Sequence, residues 1–271
     1  MRADNHARMI INYNRNAKIY DKRHGEEIAP EVAAKVIEIA GLKAGDLQLD
    51  LASGTGRGCL AFARQGMAVT ATDVSEDMLE RLMQKAEGLN LSTQLLRASA
   101  LPFRDNSFEA VSISRALYLI ADWRDVITQA ARVIKPNGVF IHEWGSGSET
   151  DVYGLIRGHL RDLLLKAGVT QIFHPGARTE AQVESQIFAC GFETLGAIET
   201  GPGLSITPRN FIDKIVNREC SYLWDVSDDI AVPVMEKVWD YAAAEFGDLD
   251  QEIFMPENSW WRVYRLTNSN A

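Results

Sequence analysis

The chain lacks the features that mark secreted, metal-binding and membrane-spanning proteins. Only three of its 271 residues are cysteines, and Cys59, Cys190 and Cys220 have the spacing of neither a disulfide framework nor a metal site. The N-terminal residues show no signal-peptide pattern, and no apolar run approaches the length of a membrane span. These absences predict a cytoplasmic protein that binds no metal ion and has no membrane-spanning segment.

Runs of positive charge are missing as well. Lysine and arginine together number 28, against 37 aspartates and glutamates, which gives a net charge of −9. This balance disfavours nucleic acid as a partner, because phosphates are bound by a basic surface. A small molecule is the predicted partner, and the chain is expected to act as a monomer or a homodimer.

The sequence does contain a regular alternation of short apolar strands with amphipathic helices. Five strands are predicted before residue 145, at Leu47–Leu51, Ala68–Thr72, Thr93–Leu96, Ala110–Ser114 and Val139–Glu143. Ser75 and Asp122 are placed to cap two of the intervening helices, and Pro136-Asn137-Gly138 is predicted to turn into the fifth strand. This rhythm predicts parallel β-α-β units with right-handed crossovers.

The second half of the chain is less regular. A strand is predicted over Phe192–Ile198, and the alternating Trp260–Leu266 segment has the pattern of an edge strand. About sixty residues separate these two strands, which is too long for a simple connection and predicts an inserted helical cap. The predicted layout is a single domain with an N-terminal arm at 1–29, a core at 30–145, 179–199 and 259–267, and a cap at 146–178 and 200–258.

Three alternating glycines follow the first predicted strand, in the sequence Gly54-Thr55-Gly56-Arg57-Gly58. Glycines at a strand end permit a sharp turn and let the backbone approach a ligand closely. Asp73 follows the next strand, where a carboxylate can accept hydrogen bonds from both hydroxyls of a ribose. Loop and acid together predict a nucleoside site. A dinucleotide site needs Gly-x-Gly-x-x-Gly, and Cys59 occupies the position of the third glycine.

Two further segments accompany the loop and the acid. Residues 101–111 read LPFRDNSFEAV, and residues 132–138 read RVIKPNG. Together with Asp50 in the first strand, these motifs resemble the class I S-adenosylmethionine-dependent methyltransferases, in the small-molecule branch that includes the ubiquinone and menaquinone C-methyltransferases. The resemblance implies a Rossmann-like, mostly parallel seven-stranded sheet with helices on both faces, an antiparallel last strand and a helical cap inserted before it.

The same resemblance implies a site for S-adenosyl-L-methionine at the glycine loop. Ser53, Gly54 and Gly56 would line the methionine end of the cofactor, and Asp73 would hold its ribose. Arg115, directly after the fourth strand, would lie near the reacting end.

At the adenine end, the resemblance implies contacts from two further positions. Met78 would pack on the ring, and Ala98 would donate its backbone N–H to it. The family usually has an acid before the Ala98 position, but this chain has Arg97, which cannot accept a hydrogen bond. Either Ser99 substitutes for that acid, or backbone and apolar contacts hold the adenine.

Candidate catalytic residues lie at the end of the fifth predicted strand, because open α/β sheets bind ligands at the carboxyl ends of their strands. Glu143 is the preferred candidate, as a base or as a cation partner, with Trp144 as a wall of the pocket. His142 is the alternative, since neighbouring residues of a strand point to opposite faces. Tyr20 in the N-terminal arm is the candidate for a lid over the cofactor.

The sequence therefore predicts the transfer of a methyl group from S-adenosyl-L-methionine to an oxygen or carbon of a small, partly apolar molecule, with S-adenosyl-L-homocysteine as the product. One alternative is a nicotinamide-dependent oxidoreductase, which shares the sheet and the ribose acid. The other is a non-catalytic cofactor-binding protein of the same fold, which the presence of Arg97 would suit.

Overall fold

The computed structural model describes residues 27–145, 150–170, 175–200, 203–220, 223, 226–255 and 259–267. The strands in these ranges are β1 (Leu47–Leu51), β2 (Ala68–Asp73), β3 (Leu91–Leu95), β4 (Phe108–Ser114), β5 (Ile134–Glu143), β6 (Phe192–Glu199), β7 (Leu204–Ile206), β8 (Ile253–Met255) and β9 (Trp260–Leu266). The helices are α1 (Pro30–Ala40), α2 (Cys59–Arg64), α3 (Glu76–Lys85), α4 (Trp123–Val133), α5 (Val152–Lys166), α6 (Glu180–Ala189), α7 (Pro208–Val216) and α8 (Asp228–Phe246).

These elements form two compact units. The first unit contains the described residues up to Trp144, then Gly176–Ile198 and the residues from Trp261 onwards. The second unit contains the described residues of Gly145–Pro175 and Glu199–Trp260. The chain therefore leaves the first unit after β5, returns for α6 and most of β6, and leaves again before β9.

A seven-stranded sheet with the strand order β3-β2-β1-β4-β5-β9-β6 forms the centre of the first unit. β1 pairs in parallel with β2 and β4, while β3 extends the parallel sheet from β2 and β5 extends it from β4. β9 runs antiparallel to β5, with Val263 opposite Ile141. The predicted α/β fold, with a mostly parallel seven-stranded sheet and an antiparallel last strand, is confirmed.

Both faces of the sheet are buried. Along β5, Phe140 belongs to one apolar cluster, whereas Val139 and Ile141 belong to another. Because successive side chains of a strand point to opposite faces, these clusters cover the two faces of the sheet. Val126 of α4 packs in the first cluster and Val36 of α1 in the second, so helices lie on both sides.

Most helix boundaries follow their sequence signals. α1 begins at Pro30 and is followed by Gly41, whose φ of 69° is the left-handed conformation that glycine adopts readily. Ser75 caps α3 by accepting a hydrogen bond from the Met78 amide, as predicted. Asp122 precedes α4, but its side chain caps no described amide, so this part of the prediction is wrong. Its ψ of 35° departs from the extended backbone that a capping residue normally has.

The last strand is not at an edge of the sheet, as its alternating pattern suggested. β9 lies between β5 and β6, and the Thr267 N–H donates to the Gly191 carbonyl at 2.9 Å on the β6 side. The polar residue that suggested exposure, Arg262, pairs with Glu180 of α6, with 2.7 Å between Nε and Oε1. An ion pair beneath a helix therefore produced the pattern of an exposed strand.

The Pro136-Asn137-Gly138 segment was predicted as a turn before the fifth strand, but it lies inside β5. Phe108 pairs with Ile134 and Ala110 pairs with Val139, so β5 has extra residues opposite β4. Asn137 takes up the irregularity with a φ of 65°. The turn residues therefore form a bulge within the ladder instead of a break before it.

The second unit is mainly helical. Its helices share one apolar core, to which α5 contributes Ile156 and Leu160, α7 Phe211, and α8 Val234 and Val238. A two-stranded antiparallel sheet of β7 and β8 accompanies them, and the sequence analysis missed it. Three residues per strand are too few for alternation to be recognised.

Candidate functional site

The candidate site lies where β1, β2, β4 and β5 end. These strands are parallel, so their carboxyl ends share one edge of the sheet, the edge at which open α/β sheets bind ligands. The glycine loop follows β1 at this edge, and Gly54 and Gly56 turn it with φ angles of 54° and 103°. Both angles lie in the region that favours glycine, so the backbone requires these two residues.

Asp73 ends β2 and joins it to the glycine loop. Its Oδ2 accepts a hydrogen bond from the Gly54 N–H at 2.9 Å, and its Oδ1 accepts one from the Ser75 N–H at 2.9 Å. Burial raises the pKa of this carboxyl above its ordinary value, while the bonds from the backbone amides act in the opposite direction. The arrangement places a half-buried carboxylate directly beside the turn of the loop.

Ser53, which was predicted to line the methionine end, links β1 to β2 by hydrogen bonds. Its Oγ donates to the Asp50 carbonyl at 3.0 Å and accepts from the Thr72 N–H at 3.0 Å. Its own N–H donates to the Thr72 carbonyl at 2.8 Å. The Ser53 hydroxyl therefore serves the backbone of the loop, and we assign it no direct contact with a ligand.

A buried polar chain lies in the sheet beneath the loop. Gln48 donates from Nε2 to Ser112 Oγ at 2.7 Å, and Ser112 in turn donates to Asp50 Oδ1. Burial raises the pKa of Asp50 to about 6, although the hydrogen bonds from Ser112 and Ser53 lower it. These hydrogen bonds link Ser112 in β4 to Asp50 in β1, the strand that the glycine loop follows.

Gly58 is glycine for a steric reason. A Cβ at this position would lie 2.7 Å from Cη2 of Trp261. Trp261 is fully buried and meets Phe62 of α2 edge-on, with the ring centroids 5.5 Å apart. The third glycine of the loop therefore allows α2 to begin in contact with β9.

We expect Gly58→Ala to lower the free energy of unfolding by roughly 1–3 kcal/mol, because the added methyl group displaces Trp261 within a packed core. Denaturant titration measures the change. Gly158→Ala is the matched control, since nothing lies within 4 Å of an added Cβ in α5, and it should be neutral or slightly stabilising. Trp261→Phe in the Gly58→Ala background should recover part of the loss. Equal destabilisation by both glycine variants would contradict the steric explanation.

A group of charged residues lies at the ends of β4 and β5. Glu143, which is fully buried, accepts from Arg57 Nε at 3.1 Å and from Arg57 Nη2 at 3.0 Å. Arg115 Nε donates to the same carboxylate at 3.0 Å, and Ser114 Oγ donates to it as well. We call these four residues the Glu143 cluster. It ties the glycine loop to the ends of two strands that are distant from it in sequence.

The contacts of Glu143 distinguish the two roles predicted for it. Burial alone raises its pKa, but hydrogen bonds from Arg57 and Ser114 and the charge of Arg115 outweigh burial and lower the pKa to about 2. Such a carboxylate binds a proton too weakly to act as a general base near neutral pH. Glu143 is a cation partner in the structure, and we assign it no role as a base.

His142 and Trp144 pack together on the side of β5 that carries Phe140. The ring of His142 lies 6.4 Å from that of Phe140 and 6.2 Å from that of Trp144. Burial lowers the pKa of His142 to about 3, so the imidazole is neutral, and its Nδ1 has no hydrogen-bond partner in the described part of the chain. Trp144, which was predicted as a wall of the pocket, packs edge-on against Tyr118, with 5.7 Å between the ring centroids, and its role as a wall stays a prediction.

The residues predicted at the adenine end follow β2 and β3. The Leu96 N–H donates to the Asp73 carbonyl at 3.0 Å, which brings the segment after β3 beside Asp73. The Ala98 N–H has no acceptor among the residues that the structure describes, so it is available to a ligand. Met78 is only 1% exposed, so its burial favours packing within the protein over contact with an adenine. Arg97 is exposed.

Tyr20, the predicted lid residue, lies outside the described residues. The part of the chain that the structure describes contains no group of three or more His, Cys, Asp or Glu side chains arranged to hold a metal ion. None of its helices has the length and apolar character needed to cross a membrane.

No sequence pattern indicated Arg57 and Ser114 as partners of Glu143. Arg57 lies 86 residues before Glu143 in the chain, and no local pattern predicts a contact over that separation. The one signal in the sequence was the charged side chain of Arg57 within the glycine loop. This loop turns at the edge of the sheet where ligands bind, so a charge there could have indicated a site residue.

The fold and the residues at its edge define a class of protein, an open α/β sheet with a glycine loop and an acid at the carboxyl ends of two neighbouring parallel strands. Residues 49–142 match the family described as "Methyltransferase domain". A ubiquinone/menaquinone biosynthesis C-methyltransferase of Bdellovibrio bacteriovorus is 31% identical over 161 residues, which are 58% of this chain and 68% of that protein. The chain belongs to the class I S-adenosylmethionine-dependent methyltransferases.

Other similarities are more partial or concern the fold alone. A demethylmenaquinone methyltransferase of Tropheryma whipplei is 32% identical over 132 residues, which are 46% of this chain and 54% of that protein. The chain thus spans about half the length of this second relative. The solved structure of the YcgJ protein from Bacillus subtilis is similar with a TM-score of 0.60 at 19% identity, over 89% of this chain and 100% of that one.

Proposed function

We propose that this protein transfers a methyl group from S-adenosyl-L-methionine to an oxygen or carbon atom of a small, partly apolar molecule. The junction between the glycine loop and Asp73 carries the proposal, because it places the Gly54 N–H 2.9 Å from the Asp73 carboxylate. This junction combines a turn with glycine at two positions and an acceptor for ribose hydroxyls. The relatives are named as methyltransferases of quinone biosynthesis, one of them a C-methyltransferase, which supports carbon as the acceptor atom.

The residues at the edge of the sheet fit the chemistry of this cofactor. Asp73 offers the acceptor that a ribose diol needs, and Ala98 offers a backbone donor for an adenine ring nitrogen. Gly54 and Gly56 have no side chain of their own, so the backbone at these two positions can approach the methionine portion closely. Because Arg97 replaces the usual acid, the adenine would be held either by Ser99 or by backbone and apolar contacts. When bound, the cofactor supplies an electrophilic methyl group on a sulfonium.

Alignment and the exclusion of water are what the protein contributes to such a transfer. Neither Glu143 nor His142 is suited to remove a proton at neutral pH, because their pKa values are about 2 and about 3. The glycine loop and Asp73 hold the nucleoside, and the Glu143 cluster keeps the ends of β4 and β5 fixed beside it. These roles suit a methyl acceptor that is nucleophilic enough to react without a base from the protein.

Calorimetric titration with S-adenosyl-L-homocysteine tests the proposal. We expect saturable binding of this product. We expect no binding of NADH in a separate titration that is followed by NADH fluorescence. Binding of NADH, or of neither compound by well-folded protein, would contradict a methyltransferase. Incubation with labelled S-adenosyl-L-methionine and a panel of phenols and hydroquinones then tests turnover. Binding without labelling of any compound would favour the non-catalytic alternative.

A further inference from the structure

We propose that the second unit binds a small organic ammonium ion, a positive charge on an apolar body, in a groove between the end of α7 and α8. The groove has a volume of about 520 Å³, which lies within the range of small-molecule sites. None of the described residues that line it belongs to the proposed cofactor site. The inference therefore goes beyond the proposed function and does not rest on it.

Much of the groove surface is apolar. Val216 ends α7, while Val232, Met235 and Trp239 follow one another along α8 at helical spacing. Val216 is 48% exposed and Val232 is 52% exposed. Met235 and Trp239 are half-buried, because they also pack against the apolar core of the second unit. The groove thus leaves apolar side chains in contact with solvent, and an apolar ligand would remove that surface from water.

Contacts between the two helices hold the sides of the groove in place. Phe211 of α7 packs in the same core as Val234 of α8. Arg218, which follows α7, donates to the Val226 carbonyl at 2.8 Å and to the carboxylate of Asp228 at the start of α8. The groove is therefore formed without a ligand, which lowers the entropic cost of binding.

The rim of the groove carries negative charge that the protein does not neutralise at two positions. Glu236 and Asp240 are exposed and lie about one turn apart on α8. Neither carboxylate has a hydrogen-bond or ion-pair partner in the part of the chain that the structure describes, whereas Asp228 pairs with Arg218. Like charges four residues apart on a helix repel each other. A cation bound beside both acids would relieve this repulsion.

An organic ammonium ion matches both features of the groove. Its charge would lie beside Glu236 and Asp240, and its apolar body would cover Val232 and Trp239. The indole favours a cation as well, because the face of an aromatic ring attracts positive charge. The guanidinium of Arg209 already lies over the Trp239 ring, with 5.1 Å between Cζ and the ring centroid. Charge and apolar surface therefore select the same class of ligand.

Three probes that differ mainly in charge test the site in the full-length protein at neutral pH. 4-Phenylbutylamine is a cation, 4-phenylbutan-1-ol is neutral and 4-phenylbutyrate is an anion. Binding is followed by NMR through the indole N–H signal of Trp239, which the variant Trp239→Phe identifies among the six tryptophans. We expect the amine to bind about fivefold more tightly than the alcohol, because two exposed carboxylates attract it, and the anion to bind more weakly than the alcohol.

Three variants separate the charge from the apolar contact. When Glu236→Gln and Asp240→Asn are combined, the amine should bind no more tightly than the alcohol, and the affinity for the alcohol should change by less than about twofold. Val232→Ser should weaken the binding of both probes about threefold, because it removes apolar surface at an exposed position. Glu245→Gln is the matched control, since it removes an exposed acid of α8 that does not line the groove, and it should bind every probe as the wild type does.

Several results would overturn the inference. Equal affinity of the wild-type protein for all three probes would exclude a role of the two acids. An equal loss of amine binding in Glu245→Gln would assign the attraction to the net negative charge of the protein. If no probe binds, the inference is also wrong, and a shift of the Trp239 signal with an amphipathic lysine and leucine peptide, or with protein concentration alone, then assigns the groove to a helix of another protein or to a second copy of this chain. Thermal melting verifies that each variant is folded.

Discussion

Replacement of Asp73 by asparagine is expected to weaken the binding of S-adenosyl-L-homocysteine about 10-fold, because one of the two acceptor oxygens is lost. Hydrogen bonds from two ribose hydroxyls to a carboxylate contribute about 1.5 kcal/mol each, and about 1.4 kcal/mol corresponds to a factor of ten in affinity. Asparagine keeps the shape of the side chain but replaces one acceptor oxygen by an NH2 donor. Calorimetric titration of the variant and the wild-type protein measures the difference.

Asp73 also holds the amides of Gly54 and Ser75, so a change in the loop must be separated from a lost contact with the ligand. Competition with adenosine and with 2′,3′-dideoxyadenosine makes this separation, because only adenosine has the hydroxyls. The wild-type protein should prefer adenosine, and the preference should be smaller in Asp73→Asn, which keeps only one acceptor oxygen. A wild-type protein that does not discriminate between the two nucleosides would contradict the ribose role.

The variant Glu143→Gln is expected to lose about 3 kcal/mol of unfolding free energy at pH 7. The estimate follows from a pKa lowered to about 2 from its ordinary value of 4.5, at about 1.4 kcal/mol per pH unit. Its physical cause is the loss of the acid that neutralises Arg57 and Arg115. Denaturant titration should be followed by tryptophan fluorescence and far-ultraviolet circular dichroism together, because two units can unfold separately.

The pH dependence of this effect has a definite sign. Since the folded-state pKa is depressed, the stabilisation from Glu143 is complete above the unfolded-state pKa of 4.5 and is lost as the pH falls toward about 2. The difference in stability between the wild type and Glu143→Gln should therefore shrink between pH 5 and pH 3. Glu27→Gln is the control, and its partly exposed pair with Arg64 should contribute under about 1 kcal/mol. A difference that stays constant with pH would contradict the assigned ionisation.

Local sequence signals were sufficient for most of the first unit. Pro30 and Gly41 mark the two ends of α1, and Ser75 caps α3, because these signals act within a few residues of chain. The predictions failed where a distant partner changed the meaning of a local pattern. The polar side chain of Arg262 suggested an exposed strand, but it pairs with Glu180 of α6. The turn residues at 136–138 form a bulge within β5, because β4 pairs with β5 on both sides of them.

The sequence by itself determined the family, the mostly parallel sheet and the glycine loop with its acid at Asp73. These depend on the order of short motifs along the chain, which needs no folding to be recognised. Only the tertiary structure decided the chemistry of Glu143, which the sequence left as a base or a cation partner and which lies buried between two arginines. Its pKa depends on burial and on the charges of Arg57 and Arg115, and folding alone brings those groups within 3.1 Å of one carboxylate.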